Sequence, residues 1–301
     1  MKHCPVCNNK NPVAERVLNG IQLAKCQNCT FVYADMTEEQ VKETNFNYGS
    51  TSDDYYAEIQ SFLDEAWFDF TALRMTGRLG TGRILDVGCG NGLLLSCFAR
   101  HGWMVEGLDV SPWADKYAQQ RNFTLHKHVI EDDSLRENSF DLVTSTSVLE
   151  HIADPCRHVA AILRVLKPGR PAYFAGIPNY GSASIRLGVS SFFDNTPPGH
   201  VNFFDTVSFR NLFKNPEINN AARRVKVITY GVPELHRMVS FVRQVTGRLR
   251  RNRHSPQKTH SRQTIPSPIP GRLARTLILL WHAAGSPCGL GDKLEAIVEK
   301  R

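Results

Sequence analysis

The chain has 301 residues with ordinary apolar and charged fractions, 42% and 22%, enough to bury one large α/β core with additions. No apolar run reaches the length of a bilayer span and the opening Met1-Lys2-His3-Cys4 is not an apolar leader, so the expectation is a cytoplasmic protein rather than an integral membrane or secreted one. The net charge of +7 belongs to one stretch. Ten of the 36 Lys and Arg residues fall in residues 235–291, which contain no Asp or Glu, and the remaining 26 stand against 29 acidic residues. A broad nucleic-acid-binding face is therefore disfavoured against a local basic contact.

Cys4-Pro-Val-Cys7 and Cys26-Gln-Asn-Cys29 are two C-x2-C knuckles, and they account for half of the eight cysteines. Four thiolates at this spacing suit a tetrahedral Zn²⁺ with no position left for water, so the metal is expected to be structural. Val17, Leu18, Ile21 and Leu23 between the knuckles predict a small hairpin, continued by a strand through Phe31, Val32 and Tyr33. Residues 1–33 thus read as a zinc ribbon, a unit too small to fold without its metal. Residues 34–81 read as a helical lid or linker. Tyr56, Ile59, Phe62, Leu63, Ala66, Trp67, Phe70 and Leu73 recur at helical spacing over residues 54–80, and Gly80-Thr-Gly82 stops that helix.

Ile84-Leu-Asp-Val-Gly-Cys-Gly-Asn-Gly92 follows. Ile84, Leu85 and Val87 predict a buried central strand. Asp86 places within it a carboxylate that is costly unless partnered. Gly88, Gly90 and Gly92 then allow a sharp turn and close approach of a ligand to the backbone, and residues 93–100 predict a helix. Strand, glycine turn and helix N-terminus make a nucleotide-type site. A second strand over residues 103–109 ends in Asp109, about twenty residues beyond the loop, where a ribose-binding acid belongs in a doubly wound fold. Ser111 is a candidate cap for the next helix, with Pro112 in its first turn.

The glycine spacing with its preceding acid resembles motif I of the class I S-adenosylmethionine (SAM) methyltransferases. The resemblance covers roughly residues 82–298. It implies that the loop of Gly88, Cys89, Gly90 and Gly92 runs under the methionine part of SAM, that Asp86 helps to hold its amino end, and that residues 34–81 lie over the pocket, with Tyr48, Tyr55 and Tyr56 as lid contacts. A third strand is expected over residues 122–130. Family members often carry an acid near the adenine there; here Val129 or Ile130 occupies the place, with Glu131 and Asp132 just beyond, and Glu131 is taken as the candidate. A fourth strand is expected over residues 139–144, with Ser145 just past it as a further cofactor contact. Leu149-Glu150-His151 resembles the post-strand element of small-molecule methyltransferases, and Leu166-Lys-Pro-Gly169 the turn before strand five, with Arg170 where the family usually has a second glycine.

Pro197-Pro-Gly-His-Val-Asn-Phe-Phe204 resembles a His-x-x-Phe element near the acceptor pocket. A helix over 207–213 and a sixth strand over 225–230 follow. Residues 248–270 are rich in Arg, Ser, Pro and Gln and predict disorder. Residues 273–284 predict a short helix carrying Leu277, Ile278, Leu280 and Trp281, and residues 294–298 the antiparallel edge strand that ends the fold. The fold class expected is therefore α/β: a Rossmann-like, doubly wound, seven-stranded methyltransferase sheet with an antiparallel last strand, preceded by the ribbon, with residues 82–301 as the SAM-dependent domain and 235–291 as a basic, partly disordered insert. The expected chemistry is methyl transfer from SAM to a small molecule, oxygen before carbon, with His151 and His200 as candidate bases. The acceptor could be lipid-like, since Arg beside a Leu-Ile-Leu-Leu-Trp cluster suits a peripheral membrane contact through the insert. The rival readings are an RNA base methyltransferase and a zinc-dependent binding protein with a non-catalytic SAM-like domain.

Overall fold

The computed structural model describes residues 2–51, 61–186, 197–231 and 289–301. The side chain of Tyr48, all of Tyr55 and Tyr56, and nearly all of the basic insert with its expected helix lie outside these residues.

The chain opens with β1 (Val13–Leu18) and β2 (Ile21–Lys25), an antiparallel hairpin. Its Asn19-Gly20 turn has both φ angles positive, 50° and 79°, the conformation that matches the twist of two paired strands. β3 (Val32–Ala34) pairs antiparallel with β2. The first knuckle precedes β1 and the second joins β2 to β3. α1 (Glu38–Thr51) starts where Thr37 and Gln40 exchange backbone-to-side-chain hydrogen bonds of 2.8 and 3.2 Å, satisfying amides that a helix start leaves open. α2 (Ser61–Leu79) ends at Gly80, whose φ of 74° breaks the helix. The part of the expected helix before residue 61 falls outside the described residues.

The large sheet is built from β4 (Arg83–Val87), β5 (Met104–Leu108), β6 (Thr124–His126), β7 (Leu142–Thr146), β8 (Pro171–Pro178), β10 (Ala222–Tyr230) and β11 (Lys293–Lys300), in the spatial order β10-β11-β8-β7-β4-β5-β6. α3 (Leu93–Arg100), α4 (Ala114–Arg121) and α5 (Pro155–Val165) connect the parallel strands. The short α6 (Ala183–Arg186), α7 (Thr206–Leu212) and α8 (Pro216–Ala221) lie between β8 and β10 in the chain. β9 (Asn202–Phe203) leaves this sheet altogether and pairs with β3, giving the ribbon a fourth strand. The order reverses between β4 and β7, and ligands of doubly wound sheets bind at that reversal, beyond the carboxyl ends of the strands. Among the described residues no helix is long and apolar enough to cross a membrane.

Two expectations are corrected. The third strand shrinks to three residues, because Asn122 at φ 54° is the left-handed cap of α4 and Ile130–Asp132 coil into a single turn. The last strand, β11, is antiparallel as expected but is not an edge. It lies between β8 and β10. Leu294, Glu295, Ala296 and Val298 on it are all buried, which requires cover on both faces, whereas β10 exposes Arg223, Arg224 and Lys226 as edge strands do.

The buried acid on β11 fastens α2 to the sheet. Glu295, only 1% exposed, accepts from Arg74 Nη2 on α2 at 3.1 Å and from the Tyr173 hydroxyl at 3.0 Å. The Arg74 guanidinium also stands 5.5 Å from the Tyr173 ring centre. Removing the carboxylate strands a mostly buried cation. Glu295→Ala should therefore destabilise the fold by roughly 2–3 kcal/mol, seen as a lower urea midpoint at unchanged slope.

Candidate functional site

The site forms where β4 meets α3. Ile84 and Leu85 are fully buried and Val87 nearly so, because β4 is flanked on both sides by parallel strands. Gly88 has φ 74°, and a Cβ there would collide with Val148. Gly92 caps α3 at φ 67°, where a Cβ would run into the Phe123 ring. No other residue fits these two positions without displacing the loop after β7 or the start of β6. Leu108 O accepts from Gly88 N at 2.7 Å and Cys89 N at 3.2 Å, so the loop is fastened to the end of β5.

Asp109 stands beside the glycines, as expected. Its Oδ2 accepts from Gly90 N at 2.8 Å, and its Oδ1 accepts from Ser111 N at 2.8 Å and from the Ser111 hydroxyl. The cap expected of Ser111 is thus not made: its donors turn back to Asp109, and α4 has no side-chain cap. Asp86 is 3% exposed and accepts from Thr144 Oγ1 at 2.7 Å. Register explains the partner, since Asp86 lies opposite Thr144 across β4 and β7. Burial pushes the Asp86 carboxyl up to about 7; the Thr144 bond opposes this and the charge of Asp109 adds to it. Among the described residues no Lys or Arg pairs with Asp86. Ser145, 1% exposed, has a hydroxyl with no hydrogen-bond partner among the described residues. Cys89 is buried in the loop and burial raises its thiol far above the ordinary range. Glu131 lies in the turn after β6, but its carboxylate is drawn to His158 Nδ1 at 2.8 Å.

The two candidate histidines come together at the same end of the sheet. His151 sits in the Leu149–His151 turn after β7, and His200 arrives from the loop before β9, with ring centres 4.7 Å apart. His151 Nδ1 lies 2.8 Å from Gly199 O, so that nitrogen carries the proton and the lone pair is on Nε2. His200 is buried. Desolvation, with the charges of His151 and Lys293 adding, pushes its imidazole down to about 2. Glu150, 2% exposed, joins them: one carboxylate oxygen and one nitrogen from each ring lie within 4.8 Å of one another. Its Oε2 has no hydrogen-bond partner among the described residues, and burial raises its carboxyl. Such a set can handle a proton or hold a divalent cation. Thr144 and Glu150 enter the candidate site only through the structure. Glu150 is inside the Leu-Glu-His element, but only its burial beside two imidazoles marks it out.

The four knuckle cysteines also meet. All four Sγ atoms lie within 4.8 Å of one another, with Cys4–Cys29 and Cys7–Cys26 both at 3.5 Å and none in a disulfide. The shared Cys29 hydrogen bond holds Cys4 down at about 6 and raises Cys29. Asn9, Asn28 and the Cys29 amide donate to sulfurs at 3.5–3.6 Å, as amides do around metal-bound thiolates.

A family model described as a methyltransferase domain matches residues 59–220, more than half of the chain. The chain belongs to this methyltransferase family. A ubiquinone biosynthesis O-methyltransferase from Coxiella burnetii (strain Dugway 5J108-111) is 34% identical over 100 residues, which are 31% of this chain and 43% of that protein. Another, from Paracidovorax citrulli (strain AAC00-1), is 31% identical over 155 residues, covering 48% and 63%. The chain thus spans about half the length of the curated relatives it matches. A solved SAM-dependent methyltransferase from Thermotoga maritima superposes with TM-score 0.52 at 16% identity, over 84% of this chain and 98% of that one, a likeness of fold. The methyltransferase residues present fit SAM: a buried carboxylate awaits a cation, a buried hydroxyl awaits a partner, and a glycine turn leaves its backbone approachable.

The folded protein binds the Asp86 proton more tightly than the unfolded chain does. The stability attached to it is whole below the ordinary carboxyl value of 3.8 and is lost as pH rises through about 7. Relative to Asp86→Asn, the cofactor-free native protein should therefore lose stability between about pH 4 and 7, by ~4 kcal/mol at most. Thermal midpoints of the two proteins across that range check this, and a constant difference would contradict the buried proton.

Proposed function

We propose that the protein transfers a methyl group from SAM to a small-molecule acceptor, oxygen before carbon, and carries a structural Zn²⁺ on Cys4, Cys7, Cys26 and Cys29. The observation that carries the reading is the joining of two half-sites: the glycine loop held to Asp109, and the Glu150–His151–His200 cluster beside it, reached through Val148 against Gly88. In this reading Asp86 receives the cofactor's ammonium, Asp109 its ribose hydroxyls, and Gly88, Cys89, Gly90, Gly92 and Ser145 line its methionine end. The engagement of Glu131 with His158 leaves Glu131 a second-rank contact near the adenine.

Methyl transfer from a sulfonium is an in-line displacement, so the protein contributes mainly alignment and exclusion of water. His151, with its Nε2 lone pair, removes the acceptor's proton. His200, kept neutral by burial, is too weak a base at working pH and instead walls and orients the acceptor oxygen. The names of the relatives from ubiquinone biosynthesis support oxygen as the acceptor atom. The net positive insert with its Leu-Ile-Leu-Leu-Trp cluster supports a lipid-like acceptor met at an anionic membrane surface by a cytoplasmic protein. Co-sedimentation with phosphatidylserine vesicles at low salt, lost at high salt, is the expected sign of that contact.

Tritiated SAM with fractionated cell extract tests the main reading. Label should enter extractable small molecules; label in RNA alone, or in nothing while S-adenosylhomocysteine also gives no calorimetric heat, overturns it. His151→Gln should lower the small-molecule labelling rate by about 100-fold or more while S-adenosylhomocysteine binds as before.

A further inference from the structure

We infer that the cysteine ribbon is the strut that positions the two histidines, so that its metal controls the geometry of the acceptor site without touching it. The inference rests on the proposed roles of His151, His200 and the zinc. His200 belongs to a loop whose strand pairing, among the described residues, is entirely with the ribbon: Val32 lies opposite Phe203, Tyr33 opposite Asn202, and Ala34 N donates to Val201 O at 2.8 Å. β3 starts three residues after Cys29, and Cys26 N donates to Phe31 O at 2.8 Å. The second knuckle is therefore the closed end of the hairpin on which β9 lies.

The connection continues from β9 to His151. Asn202, 4% exposed, donates both amide hydrogens, to Leu149 O at 2.8 Å and Ile152 O at 2.6 Å. Val201 N donates to Glu150 O at 2.8 Å. Three hydrogen bonds from two adjacent residues thus frame the Leu149–His151 turn. Gly199 O, one residue before His200, holds His151 Nδ1. Asn45 Nδ2 on α1 donates to His151 O at 2.9 Å, so the element that follows the ribbon in the chain closes the frame from its other side. The far side of the ribbon is anchored separately. Asn211 Nδ2 donates to Cys29 O at 3.3 Å, Asn215 Nδ2 to Val6 O at 3.3 Å, and the Cys156 thiol to Val6 O at 3.4 Å. Phe31 meets Phe204 with ring centres 4.6 Å apart.

A two-residue strand has little stability of its own. Its position depends on β3, and β3 begins three residues after Cys29, so a metal crosslink among the four sulfurs fixes where it starts. Asn202 is accordingly a positioning residue: both hydrogens of its amide are taken by Leu149 O and Ile152 O. The glycine loop makes none of these bonds, being fastened to β5 instead. Loosening the ribbon should therefore separate the two half-sites functionally, sparing cofactor affinity while misplacing the histidines, and misplacement of about 1 Å can cost about 100-fold in rate.

The test uses the full chain with ¹³C-labelled histidine, the His151 and His200 imidazole signals being assigned from His151→Gln and His200→Gln. Zinc content is read by mass spectrometry and S-adenosylhomocysteine affinity by calorimetry. In Asn202→Ala, zinc should stay bound and affinity should stay within about threefold, while both imidazole signals shift or broaden and the labelling rate falls at least about tenfold. In Cys7→Ser, where one sulfur ligand is lost, zinc content should fall and the same two imidazole signals should move. Unmoved histidine signals in a folded, zinc-depleted Cys7→Ser, or in Asn202→Ala, overturn the inference. Should Cys7→Ser not fold, chelator removal of zinc from the wild-type chain, read by the same two imidazole signals, decides in its place. Failure of the wild-type chain to bind S-adenosylhomocysteine sinks the proposed function, whereas coupled histidine signals in that case still support the strut.

Discussion

The hydrogen bond from Gly90 N to the Asp109 carboxylate, 2.8 Å long, is the contact on which the cofactor side of this molecule depends. It ties the turn after β4 to the end of β5, and the two amides given to Leu108 O repeat the tie one residue earlier. The turn is thereby kept tight enough for α3 to be capped at Gly92, with Leu93 N donating to Asn91 Oδ1 at 3.0 Å. Helix N-termini carry partial positive charge and open donors, which makes such a turn suitable for a polar ligand. Asp86 sits beneath it, buried, with Thr144 as its hydrogen-bond donor and its carboxyl raised to about 7. A carboxylate so placed is a cost to the fold that a cation arriving with a ligand offsets.

The Glu150–His151–His200 cluster is built on different principles. The first half-site is local, made from one strand, its turn and the neighbouring strand end. The second brings together residues nearly fifty positions apart, Glu150 and His151 after β7 and His200 before β9. The backbone that holds His200 pairs not with the large sheet but with the ribbon. The ribbon is also part of the main core. Cys4, Val6, Cys26, Cys29, Phe31 and Tyr33 pack in the same apolar cluster as Leu85, Val87 and Phe204. A unit that reads as an appended module is, in packing terms, continuous with the core of the large sheet.

Burial governs the electrostatics at both half-sites, with opposite results. Desolvation favours the neutral form of whatever it encloses, so it raises Asp86 and Glu150 and lowers His200. Each of the three thereby favours its neutral form more than it would in water. His151, less buried and tied through Nδ1 to a backbone carbonyl, is the member of the cluster whose tautomer is set by a hydrogen bond rather than by exclusion of water.

What the amino-acid order determined by itself was everything encoded over short spans. The C-x2-C knuckles, the small hairpin between them, the glycine turn after Val87 and the acid at Asp109 each depend on neighbours within a few residues, and each is where it was expected. The seven-strand sheet followed from the succession of such segments. What only the tertiary structure decided were the long-range pairings. β9 is two residues long and carries no periodicity that could announce a strand, let alone its pairing with β3 some 170 residues away in the chain. The placing of β11 between β8 and β10 depends on which faces the rest of the molecule covers. The diversion of Glu131 to His158, like the convergence of Glu150 with the two histidines, follows from which side chains share a buried space. Which buried side chains meet is a property of the assembled chain, and no local pattern of residues specifies it.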